Sequence, residues 1–252
     1  MLKALTIIYP YYNAPRMLQR HLFDWMLIPE KWLSKILIIL VDDGSQESPA
    51  EGVIRGNGDL PFQLNLYRIK EDIPWNQHGA RNLGAYVAPN TWLFMSDIDH
   101  TLPMRSLNYI MENKWDPGCF YTFNRLTANR GSNGGVFFTT MLNDRGLPKP
   151  HPNTYLLTRK RFWSAGGYDE DFCGTYGGDG PFRRWLNKVG RHEHLGEIDI
   201  VRWSREMVPD ASMLPEFREK YRPLYGPKFK AKGGGNIPKP TRHLRFEWER
   251  VL

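Results

Sequence analysis

The stretch "TWLFMSDIDHT", residues 91–101, ends an apolar run in Asp97, Asp99 and His100. Two carboxylates one residue apart can share a hard divalent cation while the residue between them turns into the core, and Mg2+ or Mn2+ held in this way keeps open positions for phosphate oxygens. Asp-X-Asp also occurs by chance in solvated turns. His100 is either a further ligand or a turn histidine. A second acid pair, Asp42 and Asp43, closes "KILIILVDDGS". A third candidate is Asp179 in "GGDGPF", where a carboxylate could take the proton of an attacking hydroxyl or cap a helix that has Pro181 in its first turn. His192 and His194 alternate, and on a strand they would face one side, within reach of a metal or exposed in a loop.

Positioning these groups requires strand ends. "ALTIIYPYYN" is an apolar β-rich run, "RMLQRHLFDWML" has apolar residues at helical spacing, and "KILIILVDDGS" has the continuous apolar character of a strand buried on both faces. A strand at "FQLNLYRI", a helix at "NQHGARNLGAYVA" and a strand at "TWLFMSDID" continue the alternation, which predicts a mostly parallel sheet flanked by helices. In such sheets ligands sit beyond the carboxyl ends of the strands, so Pro10 to Asn13, Asp42 to Ser45 and Asp97 to His100 are expected around one cleft. "NRLTANRGSNGG" and "MLNDRGLPKPHPN" read as long loops, "GDGPFRRWLNKVG" as a helix and "EIDIVRWS" as a strand. The segment from Tyr221 onward, broken by Pro and Gly, reads as a surface wrap or arm.

With 252 residues, 41% hydrophobic and 13% aromatic, the chain is large enough for one substantial core and is not a disordered sequence. No apolar stretch is long enough to span a bilayer and no secretory pattern is visible at the N-terminal end, which predicts a cytoplasmic protein; Cys119 and Cys173 then read as free thiols. The formal charge of +7 is uneven, because residues 202–252 hold 12 Lys and Arg against 6 Asp and Glu. Such a segment suits phosphates, an anionic membrane surface or an acidic acceptor, or is a solvated basic face. No Gly-rich phosphate loop with Lys follows the first strand, which argues against a nucleotidyltransferase, and no G-X-G-X-X-G, which argues against a dinucleotide oxidoreductase.

Taken together, "TIIYPYYN", "ILVDDGS", "NQHGARNLGA", "FMSDIDH" and "SAGGYDEDF…GGDGPF" resemble, in order and spacing, glycosyltransferase family 2, inverting nucleotide-sugar enzymes of the GT-A (Rossmann-like) fold; the resemblance covers roughly residues 4–190. It implies a catalytic domain over residues 1–201 and a basic C-terminal extension over 202–252. It also implies that Pro10, Tyr11, Tyr12 and Asn13 line the nucleotide pocket, that Asp43 meets a uracil-type base edge with Asp42 supporting the turn, and that Arg81 and Asn82 lie near base and phosphates. Asp97 would contact the ribose or a metal-bound water. Asp97, Asp99, His100 and one downstream histidine, His194, are the metal-ligand candidates for Mn2+ or Mg2+. Asp179 would be the base. Relatives carry Glu before that Asp, whereas Gly178 stands here, which puts the acceptor contact in doubt.

The expected activity is transfer of a hexose or pentose from a nucleotide sugar, UDP-linked by preference, to a glycan or other hydroxyl. Two alternatives stay open. The basic aromatic tail, with Trp203, Tyr221, Tyr225, Phe229 and Trp248, could dock nucleic acid for glycosylation of a hydroxylated DNA base. The chain could also be a nucleotide-sugar-binding protein without turnover.

Overall fold

A computed structural model describes residues 1–212 and 214–252. In chain order the strands are β1 (Leu5–Tyr11), β2 (Ile36–Asp42), β3 (Gln63–Ile69), β4 (Trp92–Met95), β5 (His100–Thr101), β6 (Cys119–Arg130), β7 (Val136–Thr140), β8 (Tyr155–Thr158), β9 (Arg191–Arg202) and β10 (Trp248–Arg250). The helices are α1 (Pro15–Met26), α2 (Glu30–Leu33), α3 (Ala50–Arg55), α4 (Gln77–Val87), α5 (Met104–Glu112), α6 (Arg159–Ser164), α7 (Asp179–Val189) and α8 (Pro215–Ala231).

All the strands join one sheet in the order β10-β3-β2-β1-β4-β8-β6-β9-β5, with β7 attached to β6. β3, β2, β1 and β4 run parallel, as do β6 and β9, whereas β8, β5, β7 and β10 are antiparallel to their partners. The central strands are buried and largely apolar because both faces are covered, with Thr6 in β1 and Asp42 at the end of β2 as their polar members. Leu5, Ile7 and Tyr9 of β1, with Ile36, Ile38 and Leu40 of β2, pack towards α1 and α5; Ile8, with Leu37, Ile39 and Val41, packs towards α4, α6 and α7. Each fully buried side chain of this size contributes on the order of 1.5–3 kcal/mol. The parallel direction brings the ends of β1, β2 and β4 to one edge, with Tyr11 opposite Asp42 in register.

Three segments differ from their sequence reading. Residues 124–130, read as loop, belong to β6: β6 and β7 form a hairpin closed by the turn Gly131–Gly134, and β7 is exposed along its length. The Asn-Gly turn at 133–134 was the available signal, hidden by the polar, Gly-rich composition around it. β9 starts at Arg191, so His192 and His194 lie in a strand. The tail contains a seventeen-residue helix, α8, that continues through Pro223 and Pro227. Pro215 suits its first turn, and Tyr221, Tyr225, Lys228 and Phe229 give it a half-buried face at helical spacing that outweighs the missing backbone donors. The tail then adds β10 to the edge strand β3.

Candidate active site

The turn after β2 is built by its own acids. Asp42 accepts from the Ser45 amide at 2.9 Å and the Ala50 amide at 2.8 Å, so it holds the turn and starts α3. Gly44 has φ +75°, and a β-carbon there would lie 2.5 Å from the Glu71 carbonyl oxygen, which explains the glycine of "DDGS". Asn13, in the left-handed region at φ +43°, donates its amide to Ser45 Oγ and accepts the Ser48 amide, both at 2.9 Å, locking the end of β1 to this turn. Pro10 lies within β1, and Tyr11 is buried in the core with its hydroxyl on the Ser48 carbonyl. Of these four residues Tyr12 offers an accessible ring, anchored by its hydroxyl to Asp72 at 3.2 Å.

Asp43 is buried and accepts from Asn76 Nδ2 at 3.0 Å. Burial, reinforced by the charges of Asp42 and Asp72 against the Asn76 bond, pushes its pKa up to about 8. Asn76 is held in turn by Cys173, whose Sγ lies 2.9 Å from its Oδ1.

The loop after β4 carries Asp97 and Asp99 at the same edge, with side chains 23% and 18% accessible. His21 supports it from beneath: its Nε2 lies 2.7 Å from the Ile98 carbonyl, and burial lowers its pKa to about 4, so the neutral ring donates that bond. Asp97 is bound by Arg81, whose guanidinium is fully buried and also reaches Gln77 Oε1 at 2.9 Å. Burial alone would lower the Arg81 pKa, but the Asp97, Tyr168 and Asp179 charges outweigh it and hold the group protonated. The other Asp97 oxygen lies 3.3 Å from His151 Nε2. The Nδ1 of that ring meets Thr154 Oγ1 at 2.9 Å, and the ring stacks on His100 at 3.9 Å between centroids. His100 Nδ1 lies 2.7 Å from Asp99 Oδ1. Arg125 is nearly buried and sits within the field of both acids and of Arg202. Arg81, Arg125 and Arg202 thus bring more positive charge to this cleft than the two acids cancel, a balance suited to an anionic diphosphate.

Asp179 opens α7 on the other side of Arg81. Its Oδ1 lies 3.5 Å from Nε2 of the fully buried His78. Burial would raise the Asp179 pKa, yet the His78 contact and the Arg81 charge hold it below the ordinary carboxylate range. The same imidazole accounts for Gly178: a β-carbon there would collide with His78 Cε1 and lie 2.7 Å from Phe172 Cβ. His78 of α4 thus occupies the space that a side chain at position 178 would need.

Two expectations need correction. Asn82 does not face the cleft; its amide bonds Tyr168 O at 2.9 Å and Glu170 Oε1 at 2.8 Å, and its Oδ1 accepts the Tyr168 amide at 2.8 Å, so it fastens the "GGYDE" loop to α4. His194 is not near the acid pair. It pairs in register with Thr122 of β6, while Arg202, the partner of His100, pairs with Thr127; those positions are five residues apart, about 17 Å along a strand. Its ring meets Thr122 Oγ1 at 3.2 Å and Asn124 Oδ1 at 3.1 Å, and His192 stacks on Phe120. The residues that sequence reasoning missed are His78, Asn76, Arg125 and His151, and of these His78 and Asn76 stood beside a quoted motif, in "NQHGARN".

Among the described residues no group of three His, Cys, Asp or Glu side chains already converges as a metal cage. The donor chemistry nevertheless fits Mn2+ or Mg2+, which are commonly held by one or two carboxylates with substrate phosphates completing the shell. Asp97 and Asp99 supply the oxygens, and His100 has a buried Nε2 without a hydrogen-bond partner.

The C-terminal segment closes over the loop that leads to Asp179. Lys232 bridges Asp169 at 2.5 Å and Asp171 at 2.6 Å, Arg245 pairs with Asp171, and the Leu244 amide donates to Glu170 at 2.9 Å. Part of the basic excess of the tail is therefore matched within the chain. No helix among the described residues is long and apolar enough to cross a membrane.

No family model and no curated protein matches the chain. Three solved structures resemble it. The mannosyltransferase PcManGT from Pyrobaculum calidifontis, in complex with GDP-Man and Mn2+, aligns with a TM-score of 0.59 at 14% identity over 79% of this chain and 56% of its own. TarS from S. aureus aligns with a TM-score of 0.56 at 12% identity over 80% and 37%. GalNAc-T7 with UDP, GalNAc and Mn2+ aligns with a TM-score of 0.60 at 15% identity over 96% and 59%. The chain spans between 37% and 59% of the length of these structures. At these identities the likeness is one of architecture: the chain has the mixed α/β, mostly parallel GT-A fold.

Proposed function

We propose that the chain is an inverting glycosyltransferase that moves a sugar from a nucleotide diphosphate sugar to an acceptor hydroxyl. The observation that supports this reading is the position of Arg81: one buried guanidinium binds Asp97 directly and lies within the field of Asp179. Structures of the same fold that hold GDP-Man or UDP with Mn2+ support the donor class.

In this reading Asp43 and Asn76 meet the edge of the donor base, a uracil by preference, and Tyr12 covers its face. Arg81 fixes Asp97 towards the ribose. Arg125 and Arg202 face the diphosphate. Asp97, Asp99 and His100 would hold Mn2+ or Mg2+, which when bound adds positive charge to the departing diphosphate. Asp179, ionised by its own surroundings, takes the proton of the acceptor hydroxyl as that oxygen attacks the anomeric carbon from the face opposite the leaving group. His78 holds the carboxylate in place and keeps it charged. Gly178, which stands where the family pattern has Glu, leaves the space that His78 occupies beside Asp179.

The test is a panel of nucleotide sugars with Mn2+, read by thermal shift and by release of free sugar from a labelled donor. One donor should raise Tm and be slowly hydrolysed; Asp179→Asn should keep the shift and lose hydrolysis. A panel with no shift for any UDP-, GDP-, TDP- or CDP-sugar refutes the reading.

A further inference from the structure

A cleft of about 530 Å³ runs between α7 and α8, directly beside the start of α7. Gly180, Arg183, Arg184 and Lys188 line one wall, Tyr225 and Phe229 the other. The two helices together carry eight Lys and Arg against three Asp and Glu, which accounts for most of the chain's formal charge of +7. Lys232 and Arg245 have internal acidic partners, whereas Arg183 and Lys188 on α7 are exposed and belong to no ion pair among the described residues. Along α8, Phe217, Tyr221, Tyr225 and Phe229 recur every fourth residue, about 6 Å apart along the axis. The rings of Phe217 and Tyr221 lie 5.8 Å apart between centroids and those of Tyr225 and Phe229 5.4 Å apart, each pair tilted by about 30°. Tyr225 reaches the active site itself, its ring 3.6 Å from where a Gly177 β-carbon would stand and its hydroxyl 3.7 Å from that of Gly180.

We infer that this cleft is the acceptor site and that the acceptor is a single-stranded nucleic acid. The inference rests on the transferase reading for its chemistry but not for its binding. A neutral glycan would leave the cationic wall without counter-charge, and a polyol phosphate would have nothing to stack on the aromatic row. A polynucleotide uses both, its phosphates on Arg183 and Lys188 and its bases on the rings. The small Gly177–Gly180 turn lets a strand in the cleft approach the Asp179 carboxylate. In the transfer a hydroxyl oxygen of the nucleic acid forms the bond to the anomeric carbon, the bond from that carbon to the diphosphate oxygen breaks with its electron pair leaving on the nucleoside diphosphate, and the hydroxyl proton passes to Asp179.

The experiment is fluorescence anisotropy of the full chain with a labelled 20-nucleotide oligothymidylate, without donor, over a salt series, with dextran sulfate of matched charge as a second probe. Saturable binding should weaken with salt along a linear log-log slope, and Arg183→Glu with Lys188→Glu should weaken it at least about tenfold and flatten the slope. Tyr225→Ala should weaken the oligonucleotide and not dextran sulfate. Lys3→Glu, on a distant exposed site, should change neither. No binding at low salt, equal losses in the cleft and Lys3 variants, or a Tyr225→Ala variant that loses nothing for the oligonucleotide would overturn the inference; tighter binding of dextran sulfate would assign the cleft to an anionic glycan instead. Tm of each variant establishes that it is folded, and its donor-induced shift is read separately. Absence of oligonucleotide binding by the parent chain with its donor shift intact rejects the acceptor class alone, and absence of the donor shift rejects the transferase reading alone.

Discussion

His78 Nε2 stands 3.5 Å from Asp179 Oδ1, and among the described residues neither atom has a closer hydrogen-bond partner. Two buried polar atoms left facing each other form a contact that any tightening of the site would complete, since hydrogen bonds in ligand-free active sites are commonly long. Asp179 then draws its charge stability from an imidazole contributed by a different helix.

Replacing His78 by Gln or Phe should therefore raise the Asp179 pKa and move the acidic limb of the kcat/KM profile to higher pH. Donor affinity should change little, because His78 touches neither acid of the donor side. A profile that keeps its shape while only the amplitude drops would show that His78 has no part in setting the base.

Gly178 should tolerate no larger side chain while His78 is present. Gly178→Ala is expected to cost about 1–3 kcal/mol through overpacking, or roughly 2–10 °C in Tm. The double variant with His78→Ala should recover part of that loss, since the clash is pairwise. Additive losses in Tm would mean that the two positions do not compete for space.

Asp43 sets a pH dependence of stability. Its pKa in the folded chain, about 8, lies above the unfolded value of 3.8, so the folded chain retains a proton that the unfolded chain releases. Stability is lost as pH rises from about 4 to about 8. Asp43→Asn removes the titration and keeps the oxygen that accepts from Asn76, so its Tm advantage over the parent should grow across that window by on the order of 5 °C or more. A Tm difference that is flat with pH would place the Asp43 pKa near the ordinary value.

Chelation followed by Mn2+ titration tests the acid pair. The donor-induced Tm shift should fall with EDTA and return with Mn2+ in the parent, and Asp99→Asn should abolish the Mn2+-dependent part, whereas His194→Ala should leave it unchanged. Equal shifts with and without metal would assign the diphosphate charge to Arg81, Arg125 and Arg202.

The sequence made the strand-end motifs legible because each is local: a parallel sheet delivers "VDDGS" and "DIDH" to one edge whatever the rest of the chain does. The partners of those acids were not legible, because each joins positions far apart in sequence, Asp97 with His151, Asp43 with Asn76, Asp179 with His78. Register decided His194, and no local pattern reports a register along β6. Asn82 was read as facing the donor because its neighbour Arg81 does; adjacent residues on a helix point about 100° apart, and Asn82 serves the opposite contact. Composition misled at both ends of the scale, hiding a hairpin among glycines and a helix behind two prolines.

The closure of Lys232 and Arg245 over Asp169 and Asp171 has a bearing on biosynthesis. These cations are translated more than fifty residues after Asp179, which at about 5–20 residues per second is several seconds of elongation. During that interval the nascent loop carries three adjacent carboxylates without these counter-ions, so the loop is neutralised late, when the emerging chain folds back on its own midsection.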